Sequence, residues 1–182
     1  MSLEDNLTEI LFSKEKIEQR VSALGNEIAR DYAGRDLVLI SILKGGVVFL
    51  ADLTRAIDIP HSFDLVGAAS YGTSTRSSGQ VTITKDVDIS LLGRDVLVIE
   101  DIFDTGRTLK VVCDLLRLHN PSSLEICALL VKDKPREFDM PVRYAGFHIP
   151  DEFVVGYGLD FAEHYRNLPC IGILNPKVYQ AS

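Results

Sequence analysis

One stretch, residues 96–108, constrains the fold of this chain more than any other. Residues 96–99 are apolar and lead directly into Glu100 and Asp101. An uninterrupted apolar run is typical of a strand in a sheet that is covered on both faces. Because open α/β sheets bind ligands at the carboxyl ends of their strands, the adjacent carboxylates predict a site for hydroxyl groups or a metal ion.

A short polar turn follows this strand, and an apolar helical pattern follows the turn. The turn consists of Asp104, Thr105, Gly106, Arg107 and Thr108. Its backbone N–H groups and hydroxyls can bind a phosphate at the positive end of the helix dipole. The simpler alternative is a helix with Asp104 or Thr105 as its N-cap. That alternative leaves the two adjacent carboxylates unexplained, since they are costly to desolvate unless they bind something. The stretch therefore predicts a ribose-phosphate site.

Length and composition limit the class of protein. A chain of 182 residues suits one domain, residues 1–182, and its net charge of −7 argues against a nucleic-acid surface. No apolar run reaches the length of a membrane span, and the N-terminus is polar and acidic, unlike a signal peptide. The scattered cysteines, which are odd in number, predict buried reduced thiols. We therefore expect a cytoplasmic protein.

Apolar segments alternate with helical patterns in the first two thirds of the chain. The predicted strands are 36–43, 63–70, 81–87, 96–101, 124–131, 142–149 and 170–174, and the first helix is predicted at 14–33, capped by Ser13 and ended by Gly34. This alternation predicts an α/β fold with a mainly parallel sheet. The final third is poor in helices, which suggests a small appended subdomain.

A second turn, Lys44-Gly45-Gly46, joins the strand at 36–43 to a helical pattern that continues to about Ile57. A strand, a lysine–glycine turn and a helix together form a corner that can bind an anion. The alternative is a tight turn with a solvated lysine, and the motif alone favours it because it is short.

Residues 96–108 closely resemble the phosphoribosyl-pyrophosphate (PRPP) signature of type I phosphoribosyltransferases: an apolar run, two acidic residues, two variable positions and Asp-Thr-Gly-X-Thr. Residues 43–46, 70–72, 129–132 and 149–168 extend the resemblance, over about residues 35–175, to the hypoxanthine-guanine phosphoribosyltransferase family. The resemblance implies a central, mainly parallel sheet flanked by helices. It also implies a small hood from both chain ends, mainly residues 133–182, and a flexible lid loop at about 71–80.

The resemblance also implies roles for individual residues. For PRPP and its phosphates these residues are Lys44, Gly45, Glu100, Asp101, Asp104, Thr105, Gly106, Arg107, Thr108 and Arg166. For the purine they are Lys132, Phe153, Val154 and Asp160; for the start of the lid Ser70 and Tyr71; and for Mg²⁺ Glu100, Asp101 and Asp160. Asp104 is implied as the catalytic general base, and the Leu43–Lys44 peptide bond as cis. Taken alone, Phe153 and Val154 would be interpreted as core residues, and Lys132 and Arg166 as solvated charges.

The implied reaction is purine salvage with PRPP and a 6-oxopurine as substrates and Mg²⁺ as cofactor, giving IMP or GMP and pyrophosphate. The lid would shield the reacting sugar from water. We expect no nucleic-acid or membrane partner. We also expect a homo-oligomer, a dimer or a tetramer, because an apolar helix face in this fold can pair. The alternatives are a regulator with the same fold that binds RNA or DNA, and a transferase that uses xanthine or another base.

Overall fold

The computed structural model describes residues 2–70 and 81–179, with only the backbone described at Ser70. The described helices are α1 (Lys14–Asp31), α2 (Gly46–Ala56), α3 (Arg107–Leu118) and the single turn α4 (Pro176–Tyr179), and a short 3-10 helix covers Leu3–Asn6. The Ser13 side chain accepts from the Lys16 N–H at 3.4 Å, which confirms the predicted N-cap of α1. The helix ends two residues before the predicted limit, and Gly34 follows with φ +74° in the next turn.

The described strands form two sheets. They are β1 (Leu7–Phe12), β2 (Leu37–Leu43), β3 (His61–Ser70), β4 (Val81–Lys85), β5 (Asp95–Phe103), β6 (Ser123–Lys132), β7 (Tyr144–Ile149), β8 (Val154–Val155) and β9 (Ile171–Leu174). The larger sheet has the order β4-β3-β2-β5-β6-β7, and its pairings are parallel except that of β3 with β4. The predicted α/β fold with a mainly parallel central sheet is therefore confirmed.

The central strand β2 shows why its sequence is apolar without interruption. Leu37 and Leu39 belong to the core on the side of α1 and α2. Val38 and Ile40 point the other way and pack in the core on the side of α3. Successive side chains of a strand point to opposite faces, so a strand with helices on both faces requires apolar residues at every position.

The smaller sheet joins the two ends of the chain, with the order β1-β9-β8. Strand β1 runs antiparallel to β9 and pairs Leu7 with Leu174 and Phe12 with Ile171. The sequence pattern predicted β9 but no strand at residues 7–12. The appended subdomain of the final third is thus completed by an N-terminal strand.

No helix in the described ranges has both the length and the apolar character needed to cross a membrane. The three cysteines, Cys113, Cys127 and Cys170, are buried and free, as predicted.

Candidate active site

The carboxyl ends of β2, β5 and β6 lie side by side in the sheet and bring the predicted residues together. The turn after β2 packs against the carboxylates of β5, since a Cβ atom added at Gly45 would lie 1.8 Å from Asp101 Oδ2. A larger residue at position 45 would therefore displace that carboxylate from its present position. The Leu43–Lys44 peptide bond is cis, as predicted.

Glu100 and Asp101 form a desolvated carboxylate pair near the carboxyl end of β5, two residues before the strand ends at Phe103. Burial raises the pKa of Glu100 well above its usual value, and the neighbouring Asp101 charge adds to this effect. Burial also raises the pKa of Asp101, against hydrogen bonds that include the one from the Ile102 N–H at 2.8 Å. Glu100 Oε2 is buried without a hydrogen-bond partner among the described residues. Such a pair is suited to bind a cation or hydroxyl groups.

The turn at 104–108 differs from the alternative of a helix capped by a side chain. Gly106 is the N-cap residue of α3, with φ +79° and no side-chain cap bond, so the structure does not support the alternative of Asp104 or Thr105 as N-cap. A Cβ atom at Gly106 would lie 2.1 Å from the Phe138 carbonyl oxygen. The first N–H groups of a helix have no acceptor within that helix and are available to an anion.

A cavity of about 200 Å³ opens at this turn; we call it the turn cavity, and it is lined by Glu100 and residues 102–109. A second cavity of about 260 Å³, the hood cavity, is lined by Asp101, Ile102, Asp104, Lys132, Glu152, Phe153, Val154, Leu159 and Asp160. Ile102 and Asp104 line both cavities. Asp104 therefore lies between a turn suited to phosphate and a second, partly apolar cavity.

The wall of the hood cavity combines an exposed ring with a buried aliphatic side chain. Phe153 remains 41% exposed, so the interpretation of this residue as core was wrong, whereas Val154 is buried. The Phe153 ring is supported by Phe161 at 6.0 Å and by Tyr179 at 5.4 Å between ring centroids. A supported but exposed ring can stack on a planar ligand.

Lys132, at the end of β6, is buried and faces two carboxylates. Its Nζ atom lies 3.3 Å from Asp104 Oδ2 and 3.0 Å from Asp151 Oδ1. Lys134 contacts the same two residues, at 2.5 Å from Asp104 Oδ1 and 2.8 Å from Asp151 Oδ1. The interpretation of Lys132 as a solvated charge was therefore wrong.

A second set of charged side chains surrounds the turn after β2. Lys44 Nζ lies 3.0 Å from Glu163 Oε2, and Arg166 lies 2.9 Å from Asp160 Oδ1. The Lys44 ammonium group lowers the pKa of Glu163. Arg166 Nη1 also donates to the Gly158 carbonyl at 2.7 Å. Two cations thus lie beside the glycine turn, where an anion could replace the carboxylates that now pair with them.

Comparison with known proteins identifies the family. A sequence model of the phosphoribosyl transferase domain matches residues 8–162. The chain is 46% identical to hypoxanthine-guanine phosphoribosyltransferase of Mycobacterium tuberculosis (strain ATCC 25618 / H37Rv), over 96% of this chain and 90% of that protein. The chain belongs to the hypoxanthine-guanine phosphoribosyltransferase family. The Bacillus subtilis (strain 168) member is 45% identical over 98% of this chain and 99% of its own length.

A solved structure of this family supports the same conclusion. A hypoxanthine phosphoribosyltransferase from Staphylococcus aureus has a TM-score of 0.92 and 46% identity, covering 97% of this chain and 96% of that chain. The predicted type I phosphoribosyltransferase fold and the enzyme class are thereby confirmed.

Two residues that contact the predicted site were not predicted from the sequence. One prediction also falls on residues that the structure does not describe. Lys134 and Glu163 contact predicted site residues, yet their sequence neighbourhoods are polar and give no signal that separates them from solvated charges. Ser70 is the last residue of β3. Tyr71 and the predicted lid at about 71–80 lie outside the described residues.

Proposed function

We propose that this enzyme transfers the phosphoribosyl group of PRPP to hypoxanthine or guanine, giving IMP or GMP and pyrophosphate in purine salvage. The observation that carries the proposal is the position of Asp104, which lines both the turn cavity and the hood cavity. A nucleotide product has its phosphate at one end and its base at the other. A carboxylate between the two cavities therefore lies close to the bond that forms.

The turn cavity is suited to the 5′-phosphate. Its residues Thr105, Gly106, Arg107 and Thr108 offer hydroxyls and backbone N–H groups at the positive end of α3. The Arg107 side chain points away to Glu137, with its Nε atom 3.0 Å from the carboxylate. We therefore assign the phosphate contact at this position to the backbone of Arg107.

Pyrophosphate binds, in this proposal, beside the glycine turn after β2. Lys44 and Arg166 would exchange Glu163 for the pyrophosphate oxygens, and the Gly45 backbone would complete the contact. The close approach of Gly45 to Asp101 brings this turn next to the carboxylate pair of β5. The leaving group and the ribose hydroxyls would thus bind to adjacent strand ends.

The donor set near the carboxyl end of β5 fits Mg²⁺. Glu100 and Asp101 offer carboxylate oxygens, and one Glu100 oxygen is buried without a described partner. Mg²⁺ sites commonly use one or two carboxylates together with substrate phosphates and water. We propose that Glu100 and Asp101, with Asp160, would hold the ion near PRPP, where its charge would stabilise the leaving pyrophosphate.

The base would occupy the hood cavity. Phe153 provides a supported ring on which a purine can stack, and the Val154 backbone would meet the Watson–Crick edge. The Lys132 ammonium group would donate to the 6-oxo group, a contact that a 6-amino group cannot accept. Asp160 completes the cavity wall close to the sugar.

In the transfer step, N9 of the purine attacks C1′ of PRPP while the C1′–oxygen bond to pyrophosphate breaks. The pyrophosphate leaves with the electron pair, and the N7 proton of the base passes to the Asp104 carboxylate. The sugar carbon is cationic in between, so the acceleration comes mainly from position and electrostatics. The lid that begins at Ser70 and Tyr71 would exclude water from this carbon.

Compartment and assembly are also proposals. The free, buried cysteines agree with a reducing compartment, which supports a cytoplasmic location. Exposed apolar side chains such as Phe63 on β3 and Leu118 at the end of α3 would be covered in a homo-oligomer, a dimer or a tetramer.

Pyrophosphate release tests the proposed reaction. The purified protein is mixed with PRPP, Mg²⁺ and, in separate reactions, hypoxanthine, guanine, xanthine, adenine or a pyrimidine. We expect release with hypoxanthine or guanine, with formation of the matching nucleotide, and its loss when EDTA removes Mg²⁺. Release with xanthine or adenine alone would contradict the assigned base. No release with any base, combined with salt-sensitive RNA binding, would instead support a regulator.

Replacing Lys132 tests the discrimination between purines. Lys132→Met keeps a long apolar side chain but removes the donor to the 6-oxo group. The ratio of kcat/KM for hypoxanthine to that for adenine is expected to fall by about 10- to 100-fold, because a matched polar partner in a buried site is lost.

The matched control is Lys110→Met, because Lys110 pairs with Asp114 on the exposed surface of α3. Steady-state kinetics with both bases should show an unchanged selectivity for this control. An unchanged selectivity of the Lys132 variant as well would contradict the role assigned to Lys132.

A further inference from the structure

Two lysines and two aspartates form a compact group beside the hood cavity. Lys134 Nζ lies 2.5 Å from Asp104 Oδ1, and Lys132 Nζ lies 3.3 Å from Asp104 Oδ2. Both ammonium groups also approach Asp151 Oδ1, at 2.8 Å and 3.0 Å. Each oxygen of the Asp104 carboxylate therefore has its own lysine. We call this set of four residues the lysine–aspartate group.

The two lysines occupy different places. Lys132 lines the hood cavity, and its side chain is 10% exposed. Lys134 is not among the lining residues in the described part of the chain, and its side chain is 22% exposed. Lys132 is thus placed to contact a bound base, whereas Lys134 approaches Asp104 from outside the cavity.

We propose that Lys134 is a positioning residue that holds Asp104 Oδ1, so that Oδ2 is directed at the base when Lys132 turns to the purine. This inference rests on the proposed function and adds a residue to it. The 6-oxo group and N7 lie on the same edge of a purine. When the 6-oxo group of a bound base accepts a hydrogen bond from Lys132, the N7 proton of that base therefore lies beside Asp104 Oδ2, the oxygen that Lys132 no longer contacts.

The balance of charges around Asp104 gives a second reason to assign a positioning role to Lys134. Asp104 is partly shielded from water, with 38% of its side chain exposed. If Lys132 donates to a neutral 6-oxo group, Lys134 is the cation that remains in contact with the Asp104 carboxylate. An ionised carboxylate in a closed site is stabilised by such a contact. Lys134 would thereby hold the Asp104 carboxylate in place until it accepts the proton.

Asp151 supports this arrangement by holding both lysines. It follows β7, whereas the lysines lie at and just beyond the end of β6. The Lys134 and Lys132 ammonium groups lower the pKa of Asp151. Burial opposes a charged Lys134, but its ion pairs with Asp104 and Asp151 prevail and raise its pKa. Lys134 is therefore present as a cation at neutral pH and is held from two sides.

The first experiment compares Lys134→Met, Lys134→Arg and, as a matched surface control, Lys110→Met. For Lys134→Met we expect kcat with hypoxanthine to fall by about 10- to 100-fold, as for a misplaced catalytic group, while the KM for PRPP and the melting temperature stay near wild type. Lys134→Arg should keep most of the kcat, because it restores a cation within reach of Asp104. Lys110→Met should behave as wild type.

The second experiment asks whether Lys134 acts through Asp104. In a double-mutant cycle, Lys134→Met should reduce kcat much less in the Asp104→Asn background than in wild type, because residues that act as a unit are not additive. Equal losses in both backgrounds would overturn the proposal, as would a wild-type kcat for Lys134→Met. A raised KM for PRPP together with a lower melting temperature would assign Lys134 a structural role instead. If the wild-type enzyme releases no pyrophosphate with hypoxanthine or guanine, the proposed function itself fails. That result is distinct from a failure of the role assigned to Lys134, which is measured only in an active wild-type enzyme.

Discussion

Asp104→Asn is expected to lower kcat with hypoxanthine by about 100- to 10,000-fold, the range typical for the loss of a general base. The amide has nearly the shape of the carboxylate but does not accept the N7 proton at neutral pH. Affinity for PRPP should change little, because phosphate binding is assigned to the backbone and hydroxyls of residues 105–108. The substitution thus separates the chemical step from substrate binding.

Two measurements check this expectation: single-turnover rates with saturating PRPP, and PRPP binding by calorimetry. Asp114→Asn is a suitable control, since Asp114 is an aspartate of α3 that pairs with Lys110 and Arg117 on the surface. Turnover of the Asp104 variant close to that of wild type would exclude the general-base role. A loss of PRPP affinity as large as the loss of turnover would show that Asp104 mainly serves binding.

The position of Asp104 was predictable because the elements around it are specified locally. Strand β5 is buried on both faces, so its sequence is apolar along most of its length, and Glu100 and Asp101 interrupt that apolar run near its carboxyl end. The Asp-Thr-Gly turn is specified locally as well. The residues alone therefore predicted a strand, a turn and a helix, whereas the order of the motifs along the chain predicted the family.

Strand β1 could not be predicted in the same way. Its partner β9 lies some 160 residues later, and the pairing exists only in the folded chain. Three successive residues of β1, at positions 8–10, are exposed, so the strand lacks the alternation by which a half-buried strand is recognised. The smaller sheet is thus specified by tertiary pairing more than by local pattern.

Within the candidate active site, Lys134 likewise could not be predicted from the local sequence pattern. It lies in a polar run, Lys132-Asp133-Lys134, where a solvated loop is the natural interpretation. Its contact with Asp104 spans 30 positions and depends on how the loop after β6 folds back over the turn of α3.

The N-cap of α3 is a related case. Asp104 has the right chemistry for a cap, but its side chain contacts the two lysines, and Gly106 occupies the cap position.

Gly106→Ala is expected to raise the KM for PRPP by about tenfold or more, which corresponds to ~1.4 kcal/mol of lost binding. Gly106 has φ +79°, a conformation that costs an L-residue about 1 kcal/mol. A Cβ atom there would also lie 2.1 Å from the Phe138 carbonyl oxygen, which belongs to the backbone and cannot rotate away. The Phe138 N–H in turn donates to the Thr105 carbonyl at 3.1 Å, so the strain is passed to the turn at 104–108 itself.

Gly93→Ala separates the two sources of strain. Gly93 has a similar backbone conformation, with φ +71°, but an added Cβ atom would meet no other atom within 4 Å. We therefore expect Gly93→Ala to lower only the melting temperature, and Gly106→Ala to lower both the melting temperature and the affinity for PRPP. Calorimetric titration of PRPP and thermal unfolding of both variants provide the comparison. Equal PRPP affinities in the two variants would show that the turn at 104–108 does not bind the phosphate, whereas a loss confined to Gly106→Ala would locate the phosphate site at the amino end of α3.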